Sequence, residues 1–432
     1  MRRATLLIGT ILWAGCDLAT PTVARPTPVP SDRRVGQETE PAGGGQARSS
    51  LARACAFLYR QQAADGGWHS ETYGLLNSGQ ALTPFILRAL LDVPEEMAVR
   101  PDGAIQRALD FIRRHAGQRG IVGISDAEVL EYPNYSTAYA LLCLLEAGSA
   151  DDQPLIRQMT EYLIGEQFCE ARGFDLSMPA YGGWGYGGTH PPGETGHMDL
   201  AHTRRVIQAL RAAITAGPAL ENSDKTESDV AAQIHAALGR AELILKLLQK
   251  HPSDPRPQPM LEGPLAVAPD AYDGGFYFSP VVLAANKGRT DLSREPGPWR
   301  SYATATCDGL LALLAAGVPV EDERVQSARA WLARHPRVDL PAGVPRAPDE
   351  HPEPWAEAIR FYHFAVRAEA SAALDWPHNW RIQLAQEIVT RQQDDGSFVN
   401  ADSPLMKEDD PLLCTALAVT ALARVQSGTA SD

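Results

Sequence analysis

The stretch Gln62-Ala63-Ala64-Asp65-Gly66-Gly67-Trp68 limits the possible folds of this chain more than any other feature. Its pattern, Gln-x-x-x-Gly-x-Trp, predicts a helix running to Gln62 and a Gly pair that supplies positive φ for a tight exit. Trp68 then folds back as an apolar cover on the helix end. A related run, Gln392-Gln393-Asp394-Asp395-Gly396-Ser397-Phe398, sits near the other end of the chain. Between them lie Tyr181-Gly182-Gly183-Trp184-Gly185-Tyr186 and Tyr272-Asp273-Gly274-Gly275-Phe276-Tyr277. One Gly–aromatic turn would mean little; four along one chain point to a repeat protein.

From residue 51 onward, charged amphipathic helices alternate with helices rich in Ala, Leu and small residues. The first kind belongs outside and the second packs closely within. The spacing predicts outer–inner pairs at 51–62 and 78–92, 102–116 and 135–148, 152–167 and 199–214, 229–250 and 302–317, 322–335 and 355–374, and 378–393 and 410–426. Asp102, Asp152, Asp229 and Asp322 stand where N-caps are wanted, and Gly148 and Gly317 where inner helices end. Several inner helices place a Thr and small residues one turn ahead of an apolar run, as in Ser136-Thr137-Ala138, Thr304-Ala305-Thr306 and Cys414-Thr415-Ala416. Strand patterns are absent at any length that matters. Six pairs are enough to close a ring, so the expected fold is all-α: one (α/α)6 toroid of six helix pairs over 51–426, with a tail at 427–432.

Hydrophobic residues at 44% and charged residues at 21% describe a globular chain. The formal net charge of −14 argues against nucleic acid or an anionic membrane surface as a main partner. At the N-terminus, Arg2 and Arg3 precede an apolar run, Ala4 to Ala14, too short for a membrane span, which reads as an export signal. The run ends in Leu12-Trp13-Ala14-Gly15-Cys16, which resembles a bacterial lipoprotein cleavage box with Trp13 where Leu is usual. The expectation is a signal peptide over 1–16, lipidation of Cys16 or ordinary cleavage nearby, and a periplasmic or cell-envelope location. Membrane contact would then run through that anchor alone. The Pro- and Gly-rich stretch 17–50 reads as a tether with nothing to bury. Cys55, Cys143, Cys169, Cys307 and Cys414 are widely spaced and odd in number, and read as buried small hydrophobes.

The glutamine–glycine–aromatic motif and the alternating helices resemble the squalene–hopene cyclase and prenyltransferase group of toroids. The resemblance extends to the exported prenyltransferase/squalene-oxidase-repeat proteins of bacteria. Trp380-Arg381, the run Arg391 to Asn400, and Asp410-Pro411-Leu412-Leu413-Cys414-Thr415-Ala416 carry it. It spans about 51–426 and speaks for fold much more than for activity.

The activities that the resemblance brings to mind can each be checked against residues. Class II terpene cyclases protonate an alkene with an Asp-x-Asp-Asp cluster. The nearest run is Glu408-Asp409-Asp410 with Lys407 in place of the first Asp, otherwise a loop leading to Asp410 as an N-cap. Carbocation chemistry wants an aromatic cage; Phe85, Tyr139, Tyr302, Trp355, Phe361 and Tyr362 instead predict an apolar ligand cavity. The prenyltransferase zinc set finds Cys307, Asp308 and His363, but adjacent helical residues point about 100° apart, which favours Cys307 as core and His363 as a helix-surface residue. The thioester motif is broken by Ile164 before Gly165-Glu166-Gln167. A last cluster, His190, Glu194, His197, Asp199 and His202, could bind a transition metal or act as acid and base. Its plainer reading is a polar loop with Asp199 as an N-cap. The long loop 252–298 is placed to lid the same mouth of the ring.

These residues point to an exported toroid that binds an apolar terpenoid or prenyl ligand, or a protein partner, without class II cyclase chemistry and without a cofactor. The alternatives are a divergent terpenoid or prenyl-processing enzyme, tested first at Glu408, Asp409 and Asp410, and a carbohydrate-active toroid. The latter needs paired carboxylates in the cavity, for which Asp308, Glu357 and Glu369 are the available acids.

Overall fold

The computed structural model describes residues 44–126, 129–188, 193–194, 196–216, 227–254, 272–288, 300–347, 352–377 and 379–427. The expected signal segment with Cys16, most of the tether, and His190 lie outside the described residues.

Among the described residues the long helices fall into six outer–inner pairs. They are α1 (Gly44–Arg60) with α2 (Leu82–Leu91), α3 (Ala104–His115) with α4 (Pro133–Ala147), and α5 (Gln153–Gly165) with α6 (Leu200–Thr215). Then come α7 (Glu227–Leu248) with α8 (Ala303–Ala316), α9 (Glu323–Arg334) with the broken inner helix α10 (Trp355–Ala358) and α11 (Arg360–Ala373), and α12 (Asn379–Val389) with α13 (Pro411–Gln426). Inner helices touch in the cycle α2, α4, α6, α8, α11, α13 and back to α2, which closes the ring. The chain is therefore an all-α (α/α)6 toroid. A two-stranded hairpin, Ile124–Asp126 against Val129–Leu130, is the sheet found among the described residues.

The glutamine–glycine–aromatic turns are the joints of the outer ring. Gln62 Nε2 donates to Gly66 O at 3.0 Å and to Ala104 O on α3 at 2.9 Å. Gln167 Nε2 binds Gly182 O at 2.9 Å and Ala237 O on α7 at 2.8 Å, and Gln249 Nε2 binds Gly274 O at 3.0 Å and Arg324 O on α9 at 2.8 Å. Gln392 Nε2 binds Gly396 O at 3.0 Å and Ser50 O on α1 at 2.9 Å, so the last outer helix is fastened to the first. The glycine is required by both conformation and space. Gly66 has φ +93°, and a Cβ there would lie 2.3 Å from Arg107 O on α3.

The aromatic of each turn then reaches the inner ring. The backbone N–H groups of Trp68, Trp184, Phe276 and Phe398 donate at 2.9–3.1 Å to the hydroxyls of Thr83, Thr203, Thr306 and Thr415 on inner helices. Val122 does the same to Thr137 at 3.0 Å. This explains the recurring inner-helix Thr: it satisfies a backbone donor that the buried aromatic carries into the core. The Trp68 and Trp184 indoles, both wholly buried, donate to Leu58 O and Leu163 O at the ends of α1 and α5.

Several boundaries differ from the sequence expectation. The first helix begins at Gly44, inside the stretch read as tether, because Ala47, Ser50 and Leu51 are buried where α1 packs on α12 and α13. Asp322 caps α9 through Arg324 N at 2.8 Å, and Gly148 and Gly317 end α4 and α8 at φ +65° and +99°. Asp152 spends its carboxylate on Arg113 instead, at 2.7 and 2.8 Å, and Gly103 takes the N-cap position expected of Asp102. Asp229 falls within α7.

Replacing the wholly buried Gln249 with Ala removes two donors from buried carbonyls and is expected to cost about 2–3 kcal/mol in urea unfolding. Gln106→Ala, on the exposed face of α3, is expected to stay within about 0.5 kcal/mol of the parent.

Candidate ligand cavity

All six inner helices contribute their first turns to one mouth of the ring, where a cavity of about 330 Å3 opens. The helix N-termini place the positive ends of their dipoles here. The wall formed by α2 and α13, with the loop before α2, is apolar: Leu76, Leu82, Phe85, Leu413 and Leu417. Across the ring, the wall at α6 and α8 is polar: His197, Asp199, His202, Lys287, Tyr302 and Thr304. Tyr132, Tyr135 and Tyr186 join the two sides near α4, and Ile359, Tyr362 and Glu408 join them near α11.

The polar wall is organised by Asp199. Its Oδ1 accepts His202 N at 2.9 Å and so caps α6, as the sequence predicts for this residue. Its Oδ2 lies 2.8 Å from His202 Nδ1 and 2.9 Å from His197 Nε2. Burial alone would raise this carboxyl, but His202 and His197 hold it far below the usual carboxylate range. The helix cap is thus also the centre of the polar wall. The Tyr186 ring stacks on His197 at 4.0 Å, and the Tyr135 and Tyr186 rings stand 5.2 and 4.9 Å from His202. Lys287 lies on the same wall with Nζ 4.0 Å from the Trp355 ring centre, and burial lowers its ammonium to about 8.

Below the cavity the ring is crossed by an ion cluster. Arg204 of α6, 1% exposed, donates to Asp308 Oδ1 of α8 at 2.7 Å and to Glu369 Oε2 of α11 at 2.5 Å. The Tyr362 hydroxyl donates to Asp308 Oδ2 at 2.8 Å, and the Arg205 guanidinium covers the Tyr139 ring at 4.5 Å. Burial pushes Asp308 up against the pull of Arg204, whereas Arg204 and Arg205 overcome burial and bring Glu369 down to about 2. The two acids that a carbohydrate-active toroid would need are therefore tied to one arginine. On the far side a second, more polar cavity of about 550 Å3 is lined by Arg88, Asp92, Glu146, Arg211 and Arg424, and Phe85 borders both.

Of the residues read as ligand cavity, Phe85, Tyr302 and Tyr362 line it, Tyr139 lies toward the second cavity, and Trp355 stands behind Lys287. Phe361 does not reach the cavity; it packs on Phe364 and Phe398 in the layer between inner and outer rings. The acidic run separates into three tasks. Glu408 caps α11, accepting Phe361 N at 2.9 Å and Tyr362 N at 2.8 Å, with Asn400 Nδ2 at 2.8 Å. Asp409 accepts the Tyr73 hydroxyl at 2.5 Å, and Asp410 caps α13 through Leu412 N and Leu413 N. Burial raises Glu408 to about 7, which makes it a weaker acid than a free carboxyl and unsuited to protonating an alkene.

The Cys307 thiol is pushed up to about 12 by burial, and burial brings His363 down to about 3. His363 is wholly buried, which corrects the helix-surface reading. Glu194 is exposed. Among the described residues no group of three or more His, Cys, Asp or Glu side chains is arranged to hold a metal ion. The cluster His197–Asp199–His202 was visible in the sequence; Lys287 and Arg204 were not singled out. Arg204 had a signal, a charged residue on a helix expected to face inward, whereas Lys287 comes from an irregular loop that gives none.

No protein-family model matches this sequence, and no curated protein matches it. Solved structures do resemble the fold. A D-mannose isomerase aligns over 88% of this chain and 99% of its own, with a TM-score of 0.50 and 14% identity. The type II terpene cyclase MstE from Scytonema aligns over 88% and 98%, with a TM-score of 0.47 and 13% identity. A glycosidase aligns over 90% and 99%, at 0.48 and 14%. At 14% identity the likeness to the isomerase speaks for the fold alone.

Arg204→Met leaves Asp308 and Glu369 buried without their shared cation, and is expected to lower unfolding free energy by about 3–5 kcal/mol in urea titrations.

Proposed function

We propose that the protein is a toroid of the squalene-cyclase/prenyltransferase-repeat kind that holds an apolar ligand of terpenoid or prenyl chemistry in the cavity at the N-terminal mouth of its inner helices. The observation that carries this reading is the two-sided lining: an aliphatic and phenyl wall on α2 and α13 facing a polar wall on α6 and α8. A mostly apolar concavity with a few converging polar groups is the usual form of a small-molecule site. A volume of about 330 Å3 suits a short isoprenoid better than a hydrocarbon the size of squalene. Alkene protonation is not part of the proposal, because Glu408, the acid nearest the family motif in sequence, is spent on capping α11.

The N-terminal pattern around Cys16 supports a further element of the reading: the toroid works outside the cytoplasm, held to a membrane by a lipid on Cys16. In that setting it would receive its ligand from the membrane or the surrounding space.

The direct test uses geranylacetone, a short isoprenoid ketone, titrated into the full chain and followed by intrinsic fluorescence. Saturable binding is expected. Ala285→Trp places an indole at a half-buried lining position on a loop and is expected to weaken binding by about tenfold or more, with thermal stability unchanged. Absence of saturable binding to the parent protein would contradict the reading.

A further inference from the structure

His202 has one ring nitrogen accounted for and one that is not. Asp199 Oδ2 lies 2.8 Å from Nδ1, so in the neutral imidazole the proton sits on Nδ1 and the lone pair on Nε2. Among the described residues Nε2 is buried and has no hydrogen-bond partner, although the residue lines the cavity and is only 8% exposed. Tyr132, Tyr135 and Tyr186 enclose the ring at 6.1, 5.2 and 4.9 Å without supplying a donor to it. A buried basic nitrogen with no donor on it keeps its lone pair for a hydrogen that the occupant of the cavity brings within reach.

Two more features say what kind of hydrogen. Asp199 is held by three contacts, to His202 N, His202 Nδ1 and His197 Nε2, so the imidazole is aimed by a carboxylate that is itself fixed by the first turn of α6. That is the relation of an orienting acid to a general base. On the same wall, the Lys287 ammonium lies over the Trp355 ring and close enough to Asp199 to feel its charge. A base and a cation on one wall of a mostly apolar cavity, among helix N-termini, match a C–H bond next to a carbonyl: one takes the proton and the other holds the negative charge that develops on oxygen.

We propose that His202, aimed by Asp199, is the catalytic base for proton removal from the carbon beside a carbonyl group on the bound apolar ligand, with the Lys287 ammonium holding the oxyanion. The proposal rests on the reading of the cavity as an apolar-ligand site and adds a carbonyl to that ligand. In the step, the Nε2 lone pair forms an N–H bond. The C–H pair becomes the carbon–carbon double bond of an enolate, and the carbonyl π pair moves onto oxygen beside Lys287. The reverse step returns hydrogen to carbon. The balance closes without oxidant, reductant or co-reactant, and in D2O the returning atom is deuterium once Nε2 has exchanged with solvent. Asp199 is a positioning residue in this scheme; His202 and Lys287 touch the ligand.

The experiment follows the protons beside the carbonyl of geranylacetone by NMR in D2O, with binding measured separately by fluorescence. The full-length protein is expected to speed their exchange at least about 100-fold over buffer. His202→Phe keeps an aromatic ring within the tyrosine enclosure, and is expected to bind the ketone but exchange at the buffer rate. Asp199→Asn keeps a capping side chain without the charge and is expected to slow exchange with little change in binding. Lys287→Met is expected to slow exchange and, having lost the group that faces the ketone oxygen, to weaken binding as well. Binding by the parent protein with exchange at the buffer rate, or equal exchange by the parent and His202→Phe, overturns the catalytic proposal and leaves the binding site standing. No binding by the parent overturns both.

Discussion

A glutamine side chain at the end of an outer helix, shared between the carbonyl of its own turn and a carbonyl of the next outer helix in the ring, is the interaction from which the rest of this structure follows. It recurs at Gln62, Gln167, Gln249 and Gln392, each time with two carbonyl acceptors. An amide is suited to the task because it offers two hydrogens in one plane. The glycine at the turn lets the two backbones approach, as at Gly396, where a Cβ would lie 2.6 Å from Arg53 O. The aromatic that follows carries its backbone N–H to an inner-helix Thr, so one short motif fixes outer helix to outer helix and outer ring to inner ring. The inner helices are left with their N-termini gathered at one mouth, and the cavity is a consequence of that gathering.

The interior is then divided by charge. Arg204, Asp308 and Glu369 join α6, α8 and α11 at a buried level. Desolvating such a cluster is costly, and its Coulombic gain offsets that only with good geometry. The Tyr362 hydroxyl on Asp308 and the Tyr139 face under Arg205 supply part of that geometry. Above this level the cavity is largely apolar, and its few polar groups act in a medium that screens them poorly. The same medium holds Lys287 near 8 and Glu408 near 7, both displaced toward neutrality by burial.

The ring was legible because its periodic signals are local. Helix amphipathicity, the Gly–aromatic turns and the Thr of the inner helices all lie within short windows, and each maps onto an element that forms. The start of α1 was misread because Gly43-Gly44-Gly45 looks like linker, and only contact with α12 and α13 makes helix from Gly44 worthwhile. The candidate site was legible in part. Asp199 and its two histidines are close in sequence, but whether they face a loop or a cavity depends on the closure of the ring. Phe361 and Tyr362 are neighbours with opposite fates, one in the inter-ring layer and one in the cavity wall, since adjacent helical positions diverge by about 100°. Lys287 could not be placed at all, because its position comes from a loop whose path is set by packing over the mouth.

The central claim is that one mouth of the ring is a two-sided site, with an apolar wall on α2 and α13 and a polar wall on α6 and α8. A crystal structure of the full chain grown with geranylacetone tests it most directly. The account predicts density with the isoprenoid tail along Leu82, Phe85 and Leu417 and the ketone oxygen toward Lys287 and His202. A ligand seated in the arginine-lined cavity at the other mouth, or a reversed orientation with the ketone against the leucines, would contradict it.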